Sequence, residues 1–407
     1  MDRLIIERLG HRGDGIAPGP IFVPGVLPGE EVEGVIEAGA MAAPKIVTPS
    51  PDRVRAPCRH AKSCGGCQLQ HASDPFVARW KEGVVRTALD AQGIQTEIRE
   101  CITSPIQSRR RAAFSAKRTK KGALSGFHRK GSDVVVDVPD CQLVLPNLAA
   151  ALPMVEAIAM LGASRKSELS VMVTDSEHGL DVRVTGGKPI DAELRSDLAN
   201  VAREHGVSRI TWEDESLTRM PPNQTFGTAA VIPPPGAFLQ ATHEGEAALL
   251  NGVKEALGEV KYIADLFSGC GTFALPLAHQ ARVHAVEGEK AMVQALDQGW
   301  RTSKGLKQVT HEARDLFRNP LLPDELERFD GVVIDPPRAG AEAQVEQMAR
   351  TKIPRIAFVS CNPVTFARDC ARLITAGYTL DWVQVVDQFR WSTHVEVVAQ
   401  LRFTGTD

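Results

Sequence analysis

The chain has 407 residues, too many for one ordinary hydrophobic core, so two or three domains are expected. With 43% hydrophobic residues, 24% charged residues and a formal net charge of −3, the composition excludes a disordered chain. Leu148 opens the best apolar run, LAAALPMVEAIAMLGA, which Pro153 and Glu156 interrupt, so a membrane-spanning helix is also excluded.

The first 50 residues predict a small β domain. β-like runs at residues 4–9, 20–25 and 31–37 are separated by turns rich in glycine and proline, which is typical of a small barrel or its remnant. The N-terminus MDRLIIERLG lacks the layout of a signal peptide, so we expect a cytoplasmic protein with no membrane partner. No feature indicates an obligate protein partner. The stretch TPSPDRVRAPC, from Thr48, predicts a linker and closes the first domain at residues 1–50.

Four cysteines form a candidate metal site. Three lie in CRHAKSCGGCQLQH and the fourth in PDCQLV; they are Cys58, Cys64, Cys67 and Cys141. Cytosolic thiols stay reduced, so clustered cysteines indicate a metal rather than disulfides. Four thiolates hold either a [4Fe–4S] cluster or zinc, and the spacing does not decide between them. His60 and His71 flank the motif and are alternative zinc ligands.

A helix is predicted within residues 75–100, around WKEGVVRTALDAQGI, and a strongly basic segment follows it. Nine Lys or Arg residues and no acids lie between Cys101 and Ser132, with Phe114 and Phe127 interleaved. They are Arg109, Arg110, Arg111, Lys117, Arg118, Lys120, Lys121, Arg129 and Lys130. Such a run predicts contact with nucleic-acid phosphates, although a solvated surface hairpin is the alternative.

Short β-runs and helical segments mix from about residue 105 to residue 235. The β-runs are AAFSAK, DVVVDV, ELSVMVT, LDVRVT and SRITWED, and the helical segments lie near 148–162 and 191–204. This mixture predicts an α+β domain. The stretch PPPGAF at residues 233–238 marks its end, so we place the second domain at 51–235 and the third at 236–407.

The third domain alternates strands with helices, which predicts a mostly parallel sheet covered by helices on both faces. Four strand–helix pairs are predicted: YIADLF with FALPLAHQ, RVHAVE with KAMVQALDQGW, DGVVID with AEAQVEQMART, and RIAFVS with VTFARDCARLITA. The chain then reads TLDWVQVVDQF and HVEVVAQLRF with no helix between, which predicts a closing antiparallel hairpin.

The stretch DLFSGCGTF ends the first of these strands. Gly269 and Gly271 let the backbone turn tightly and approach a ligand. Ala274 stands where the dinucleotide fingerprint has its third glycine, which argues against NAD and for a different adenosyl ligand. Glu287 ends the second strand, RVHAVE, and is placed to accept hydrogen bonds from ribose hydroxyls. Asp315, in ARDLF, follows a predicted third strand that precedes DGVVID, and it lies where an adenine edge would rest. The layout resembles that of S-adenosylmethionine sites in class I methyltransferases.

Two further strands end in chemically distinctive turns. Asp335 closes the fourth strand in IDPPR, whose two prolines give a rigid floor for a flat substrate. Cys361 closes the next strand in SCNP and faces the same crevice. A methyl donor explains the thiol, because C5 of uracil is a poor nucleophile until a thiolate adds to C6. A base must then remove the C5 proton, and Glu396, inside an otherwise apolar terminal strand, is the candidate.

The motifs stand in the order in which they occur in one known family. FLQ, ending at Gln240, DLFSGCGTF, Glu287, IDPPR, SCNP and HVE follow one another, so nearly all of the chain resembles the RNA uracil-C5 methyltransferase family of tRNA and 23S rRNA enzymes. The resemblance implies a class I, Rossmann-like methyltransferase domain and a short N-terminal TRAM-like domain with an oligonucleotide-binding fold. It implies that the S-adenosylmethionine pocket is lined by Gln240, Phe267, Thr272, Glu287, Asp315 and Asp335.

The resemblance also favours one metal and one RNA. The 23S rRNA branch carries a [4Fe–4S] cluster at this cysteine motif, whereas the tRNA branch generally lacks it, so the cysteines favour iron–sulfur and 23S rRNA as the partner. The first alternative is a tRNA substrate. The second is an RNA-binding iron–sulfur protein without catalysis, in which Cys361 is a core thiol. For stacking on RNA bases, Phe114, Phe127 and Phe389 are candidates.

Overall fold

The computed structural model describes residues 1–405, and its first 50 residues form a small β module. Six short strands make two three-stranded sheets, ordered β1-β5-β6 and β2-β3-β4. The strands are β1 (Asp2–Ile5), β2 (Arg8–Leu9), β3 (Gly15–Ala17), β4 (Ile21–Val23), β5 (Glu31–Gly34) and β6 (Lys45–Thr48). Ile6, Val32 and Met41 belong to a separate small core. The predicted N-terminal β region is therefore confirmed.

A long helix and an edge strand follow the linker. Helix α1 (Asp74–Asp90) begins at Ser73, whose side chain accepts a hydrogen bond from the Phe76 amide. Its buried residues recur every four positions, as expected for a helix with one face on a core; they are Val77, Lys81, Val85 and Leu89. Lys81 is the charged exception in this apolar stripe. Strand β7 (Glu97–Thr103) comes next, in a stretch where the sequence predicted helix.

The central domain is a seven-stranded sheet packed against helices. The strands are β8 (Arg111–Arg118), β9 (Ala123–His128), β10 (Val135–Val136), β11 (Glu168–Thr174), β12 (Leu180–Thr185), β13 (Val207–Trp212) and β14 (Glu215–Thr218), in the order β10-β9-β8-β11-β12-β13-β14. The helices are α2 (Pro146–Ala149), α3 (Leu152–Gly162) and α4 (Ala192–Glu204). This is the α+β arrangement that the sequence predicted. A hairpin of β15 (Gln224–Phe226) and β16 (Ala229–Val231) leads to the last domain.

The last domain is an eight-stranded sheet, ordered β19-β18-β17-β20-β21-β23-β22-β7. Its own strands are β17 (Tyr262–Leu266), β18 (Arg282–Glu287), β19 (Val309–Ala313), β20 (Gly331–Ile334), β21 (Arg355–Ser360), β22 (Tyr378–Asp387) and β23 (Glu396–Phe403). The helices are α5 (His243–Leu257), α6 (Ala274–Leu277), α7 (Lys290–Thr302), α8 (Pro323–Leu326), α9 (Glu342–Met348) and α10 (Pro363–Thr375). Strands β17 to β21 are parallel, and β23 pairs antiparallel with both β21 and β22. The predicted α/β fold with a closing hairpin is confirmed.

One strand of this sheet comes from outside the predicted third domain. Strand β7 pairs in parallel with β22, and α1 packs beside it. Residues 74–103, which the sequence placed in the domain 51–235, therefore build the edge of the larger sheet. Pairing between strands about 285 residues apart leaves no local sequence signal.

The topology brings several strand ends to one edge. Strands β17, β18, β20 and β21 are parallel, so their carboxyl ends open into the same crevice, as in other open α/β sheets. In the part of the chain that the structure describes, no helix is both long and apolar enough to cross a bilayer.

Candidate active site

A cavity of about 870 Å³ lies at this edge of the sheet. It contains every residue that the sequence proposed for catalysis or cofactor binding except Gly271. The predicted residues that line it are Gln240, Phe267, Gly269, Thr272, Glu287, Asp315, Asp335, Cys361 and Glu396. Cys361 and Glu396 therefore line the same cavity as the nucleotide-like loop, which the proposed thiol chemistry requires.

The glycine loop after β17 contains three residues in the left-handed region, two of which are glycines. Phe267, Gly269 and Gly271 have φ values of +62°, +55° and +95°. A Cβ at Gly271 would lie 2.9 Å from the Leu275 side chain, so this glycine permits close packing rather than touching the cavity. Gly269 does line the cavity, and a Cβ there would meet only Met292, at 3.9 Å. Because Gly269 has no side chain, an adenosyl ligand can approach the backbone of the loop closely.

Two acids are fixed beside the loop by backbone amides. Glu287 ends β18 and accepts hydrogen bonds from the amides of Gly269, at 3.0 Å, and Glu289, at 2.9 Å. Asp315 follows β19 and accepts from the amide of Phe317 at 3.0 Å. The ring centroids of Phe267 and Phe317 lie 5.4 Å apart, and both rings line the same cavity as these acids. Carboxylates beside aromatic rings fit a ribose and a flat base, so the residues suit S-adenosylmethionine.

A chain of hydrogen bonds links the two carboxyl groups of the substrate side. Gln240 donates to Oδ2 of Asp335 at 3.3 Å. The amide nitrogen of Gln388 donates to Oε1 of Gln240 at 2.6 Å and to Oε2 of Glu396 at 3.0 Å. The Ala241 amide in turn donates to Oε1 of Gln388 at 2.7 Å. Gln388 thereby fixes the orientation of Glu396. Gln388 was not predicted from the sequence, where its only signal was a polar residue beside the closing hairpin.

Burial keeps both carboxyl groups protonated to unusually high pH. The pKa of Asp335 rises to about 7 because the group is buried. The pKa of Glu396 rises to about 8, first through burial and then through the negative charge of Asp335, against the lowering effect of the Gln388 hydrogen bond. The two groups therefore titrate as an interacting pair in the neutral range, where acid–base catalysis is effective.

The turn that carries Cys361 is held by its neighbours. The Ser360 hydroxyl accepts from the Asn362 amide at 3.2 Å, and the Asn362 side chain accepts from the Val364 amide at 3.1 Å, which caps α10. The same side chain donates to the Arg338 carbonyl at 2.8 Å. This ties the SCNP turn, and with it Cys361, to the IDPPR loop that carries Asp335.

The thiol is not ionised in advance. Burial, followed by the charges of Glu396 and Asp335, raises the pKa of Cys361 to about 11, although Arg338 opposes this. The sequence left open whether the thiol has a lowered pKa or a proton acceptor that acts with the substrate. The raised pKa favours the second case.

One arginine of the basic segment is buried and two lie over aromatic rings, so Arg110 does not belong to the predicted phosphate-binding surface. Arg110 is 1% exposed and donates to the Gln240 carbonyl at 2.8 Å and to Glu246 at 2.5 Å, so it joins two domains. Arg109 lies over the ring of Phe389 and Arg111 over that of Phe238. A run of like charges shows composition but not which way each side chain faces.

The candidate aromatic residues and the remaining basic residues also differ in exposure, since some lie in the core, some line the cavity and some face solvent. Phe114 is 1% exposed and belongs to the central core, which rules it out as a base-stacking residue. Phe127 and Phe389 line the cavity, as do Arg109 and Phe238. Lys120 and Lys121 are exposed in the turn between β8 and β9, and Arg129 is exposed in the turn between β9 and β10, as a phosphate contact requires.

The four cysteine thiols interact with one another but are not arranged as a complete set of metal ligands. Burial raises the pKa of Cys67 to about 12, and the charges of Cys141, Cys64 and Cys58 add to this, so the four thiols interact. The sulfurs of Cys64 and Cys141 accept backbone N–H bonds of 3.4 and 3.5 Å. Among residues 1–405, however, no group of three or more His, Cys, Asp or Glu residues is arranged to hold a metal ion. The donor chemistry fits a four-thiolate group, and the cluster stays a prediction.

The two flanking histidines have other surroundings. His60 pairs with Asp140 at 2.9 Å, while His71 is largely buried and burial lowers its pKa. The loop between the cysteines reaches the cavity, because Gly66 and Gln68 line it and the amide of Gln68 donates to the Trp391 carbonyl at 2.8 Å. The cysteine motif thus forms part of the cavity wall.

Comparison with known proteins adds a family assignment. A family model described as tRNA (Uracil-5-)-methyltransferase matches residues 234–402. A Rhizobium meliloti protein named an uncharacterized RNA methyltransferase is 43% identical over 97% of this chain and 98% of its own length. The 23S rRNA (uracil(1939)-C(5))-methyltransferase of Halomonas elongata is 32% identical over 97% of this chain and 88% of its own length.

A solved structure has the same fold. The Pyrococcus abyssi tRNA (uracil-54, C5)-methyltransferase, in complex with S-adenosyl-L-homocysteine, is similar with a TM-score of 0.77. The match covers 98% of this chain and 99% of the archaeal chain, at 23% sequence identity. The similarity therefore spans all three regions of the fold, including the N-terminal β module.

Proposed function

This chain belongs to the RNA uracil-C5 methyltransferase family, and we propose that it forms 5-methyluridine in 23S rRNA through a covalent adduct between Cys361 and the target uracil. The methyl donor of the family is S-adenosylmethionine. The observation that carries the proposal is the meeting of Cys361, Glu396 and the glycine loop in one cavity. The target uridine is flipped out of its RNA loop to reach this cavity, because a stacked base cannot reach a buried thiol.

In the first step the sulfur of Cys361 adds to C6 of uracil. The thiol proton passes to Asp335, whose raised pKa makes it a stronger base than an ordinary aspartate. The electron pair of the C5–C6 double bond moves to give an enolate, in which C5 is nucleophilic. C5 then takes the methyl group of the sulfonium, and the bond between that methyl carbon and sulfur breaks.

In the second step Glu396, as a carboxylate, removes the proton from C5. The electron pair of that C–H bond restores the C5–C6 double bond and expels the sulfur of Cys361, which regains a proton. Gln388 keeps Glu396 oriented during this transfer. The product is 5-methyluridine, and no oxidation or reduction occurs.

The flipped nucleotide enters a cavity rich in arginine and aromatic side chains. Arg109 and Arg111 lie over Phe389 and Phe238, and Phe238 is 60% exposed at the cavity. Lys120 and Lys121, on the β8–β9 hairpin, are assigned to the RNA backbone. An exposed ring next to a cation is suited to stacking with a base.

The choice of 23S rRNA rests on two observations. The relative from Halomonas elongata, whose name specifies 23S rRNA, matches over nearly the whole chain. The four cysteine thiols also interact through their charges, and Gly66 and Gln68 of the same motif line the cavity, which suits the branch that carries a cluster. A tRNA substrate is the second candidate, favoured by the description of the family model.

The four cysteines are proposed to hold a [4Fe–4S] cluster with a structural role. When bound, the cluster would tie residues 58–67 to residue 141 and so rigidify the wall at Gly66 and Gln68. Iron and acid-labile sulfide analysis of protein purified without oxygen tests this. Four of each per chain are expected, with loss in Cys67→Ser and retention in Cys101→Ser. Stoichiometric zinc without sulfide would contradict the proposal.

The substrate assignment is tested in cells. Deletion of the gene should remove 5-methyluridine from 23S rRNA, measured by nucleoside mass spectrometry of separated rRNA and tRNA. The wild-type gene should restore the modification and the Cys361→Ala gene should not. Loss from tRNA alone would establish the second candidate, and unchanged 5-methyluridine in both RNAs would contradict the proposed function.

A further inference from the structure

A buried lysine holds the loop between β22 and β23 from outside the active site. Lys81, on α1, is 0% exposed and uses all three of its N–H donors. It donates to Oδ1 of Asp387 at 2.6 Å, to the His394 carbonyl at 2.8 Å and to the Phe389 carbonyl at 3.3 Å. The lysine and the aspartate are 306 residues apart in the chain. A single ammonium group therefore forms hydrogen bonds to three residues at the β22–β23 loop.

Asp387 completes this arrangement at the end of β22. It is 0% exposed, and the Oδ1 atom that accepts from Lys81 also accepts from the Phe389 amide at 3.1 Å. Asp387 and His394, at the two ends of the segment 387–394, thus both accept a hydrogen bond from Lys81. We call Lys81 and Asp387 the latch pair.

The loop that the latch pair fixes carries much of the substrate side of the cavity. Phe389 and His394 line the cavity, Gln388 donates to Glu396, and Glu396 itself begins β23 directly after the loop. Neither Lys81 nor Asp387 lines the cavity. An effect of the latch pair on chemistry would therefore act through these neighbours.

The stability of the fold does not explain a charged pair here. Removing two charges from water costs several kcal/mol each, and well-packed apolar side chains of similar size are often at least as stable. The other buried residues on this face of α1 are Val77, Val85 and Leu89. An apolar residue at position 81 would continue that stripe but could not bind two carbonyls and a carboxylate.

We propose that the Lys81–Asp387 pair is a positioning device for methyl transfer, which fixes the β22–β23 loop so that Gln388 meets Glu396 and Phe389 faces the uracil. The inference rests on the proposed function. S-adenosylmethionine is assigned to residues on other elements, chiefly the ends of β17 and β18. The latch pair should therefore govern the rate of the chemical steps and not the affinity for the methyl donor.

The chain offers a matched control pair. Arg209 and Asp181 also form a buried ion pair, with two hydrogen bonds of 2.8 and 2.7 Å and side chains that are 8% and 11% exposed. They join β12 to β13 in the central sheet, and neither lines the cavity. Replacing this pair should disturb folding to a similar extent without changing the β22–β23 loop.

The test compares Lys81→Met/Asp387→Leu with Arg209→Met/Asp181→Leu in the full chain. The affinity for S-adenosylhomocysteine is measured by calorimetry, and the single-turnover rate at which free methylated 23S rRNA fragment forms is measured well below both melting temperatures. For the latch variant we expect an affinity within about twofold of wild type and a rate lower by about 10- to 100-fold. The control variant should keep both values within about threefold.

A rate within threefold of wild type in the latch variant, or an equal loss in the control variant, would overturn the inference. Should the double latch variant fail to fold, Asp387→Asn preserves size and one acceptor and should lower the rate while leaving KM for RNA within about twofold. A normal rate in that variant would equally overturn the inference. Absence of methylation by the wild-type protein would instead contradict the proposed function.

Discussion

Gln388 donates a hydrogen bond of 3.0 Å to Oε2 of Glu396, although the two residues lie at opposite ends of the loop between β22 and β23. The same amide nitrogen binds Gln240, which donates to Asp335, so one chain of amides joins the two buried carboxyl groups. The arrangement leaves Glu396 with a fixed orientation and a pKa of about 8. A carboxyl group with these properties is suited to removing a proton near neutral pH.

Glu396→Gln should separate addition from elimination. The amide keeps the shape of the side chain but cannot remove the C5 proton, so turnover should fall by about 10²- to 10⁴-fold. Methylated RNA should remain covalently attached to the protein, as measured on denaturing gels with labelled S-adenosylmethionine. The exposed Glu327→Gln variant is the control. Normal release of product by Glu396→Gln would show that another group is the base.

The single-turnover rate at which the wild-type enzyme releases methylated RNA should rise with pH from about 6 to about 9. Asp335 and Glu396 have pKa values of about 7 and about 8, and both must lose a proton before they act as bases. The rate should therefore increase as the pair ionises and then level off. A profile that is flat over this range, or that falls with pH, would contradict the assigned roles.

The same raised pKa predicts a change in thermal stability. Unfolded Glu396 has an ordinary pKa near 4.5, whereas the folded group holds its proton up to about pH 8. Its stabilising effect is complete below pH 4.5 and is lost as the pH rises to 8, because only the folded state must then bury a charge. The melting temperature of Glu396→Gln should exceed that of wild type by a few degrees at pH 8.5. The difference should shrink toward pH 5, as followed by calorimetry.

The exposed lysines of the β8–β9 hairpin should set the affinity for RNA. Lys120→Ala/Lys121→Ala should weaken RNA binding and lower the slope of log affinity against log salt by about 1.5 to 2, measured by fluorescence anisotropy. Binding of S-adenosylhomocysteine should not change. Lys254→Ala/Lys261→Ala removes two exposed lysines near the amino end of β17, away from the cavity, and should leave the slope unchanged. Equal slopes for the two variants would exclude the hairpin as a phosphate contact.

Local pattern was enough to predict much of the catalytic domain. The alternation of strands and helices gave a parallel sheet, and residues that follow parallel strands must converge at one edge. That rule predicts from the sequence alone that Glu287, Asp335 and Cys361 lie at the same edge of the sheet, and all three line the cavity. Glu396 was found because an acid inside an apolar strand is unusual.

Contacts between distant segments could not be predicted in this way. Lys81 appears as one charge in an apolar stripe, and nothing nearby in sequence indicates its bond to Asp387. Strand β7 joins a sheet whose other strands begin at residue 262. The inward orientation of Arg110 depends on Glu246, which lies in another domain. Each of these features is decided by tertiary packing and not by local periodicity.

The most direct test of the account uses RNA that contains 5-fluorouridine at the target position. Fluorine at C5 cannot leave as a proton, so an enzyme that adds a thiolate to C6 becomes trapped on its substrate. The wild-type protein should form a covalent complex that survives denaturation, with the adduct mapped to Cys361 by mass spectrometry. No complex is expected with Cys361→Ala, and a normal complex is expected with Cys370→Ala, which alters a buried thiol on α10. An active enzyme that forms no adduct, or an adduct that persists in Cys361→Ala, would contradict the proposed covalent mechanism.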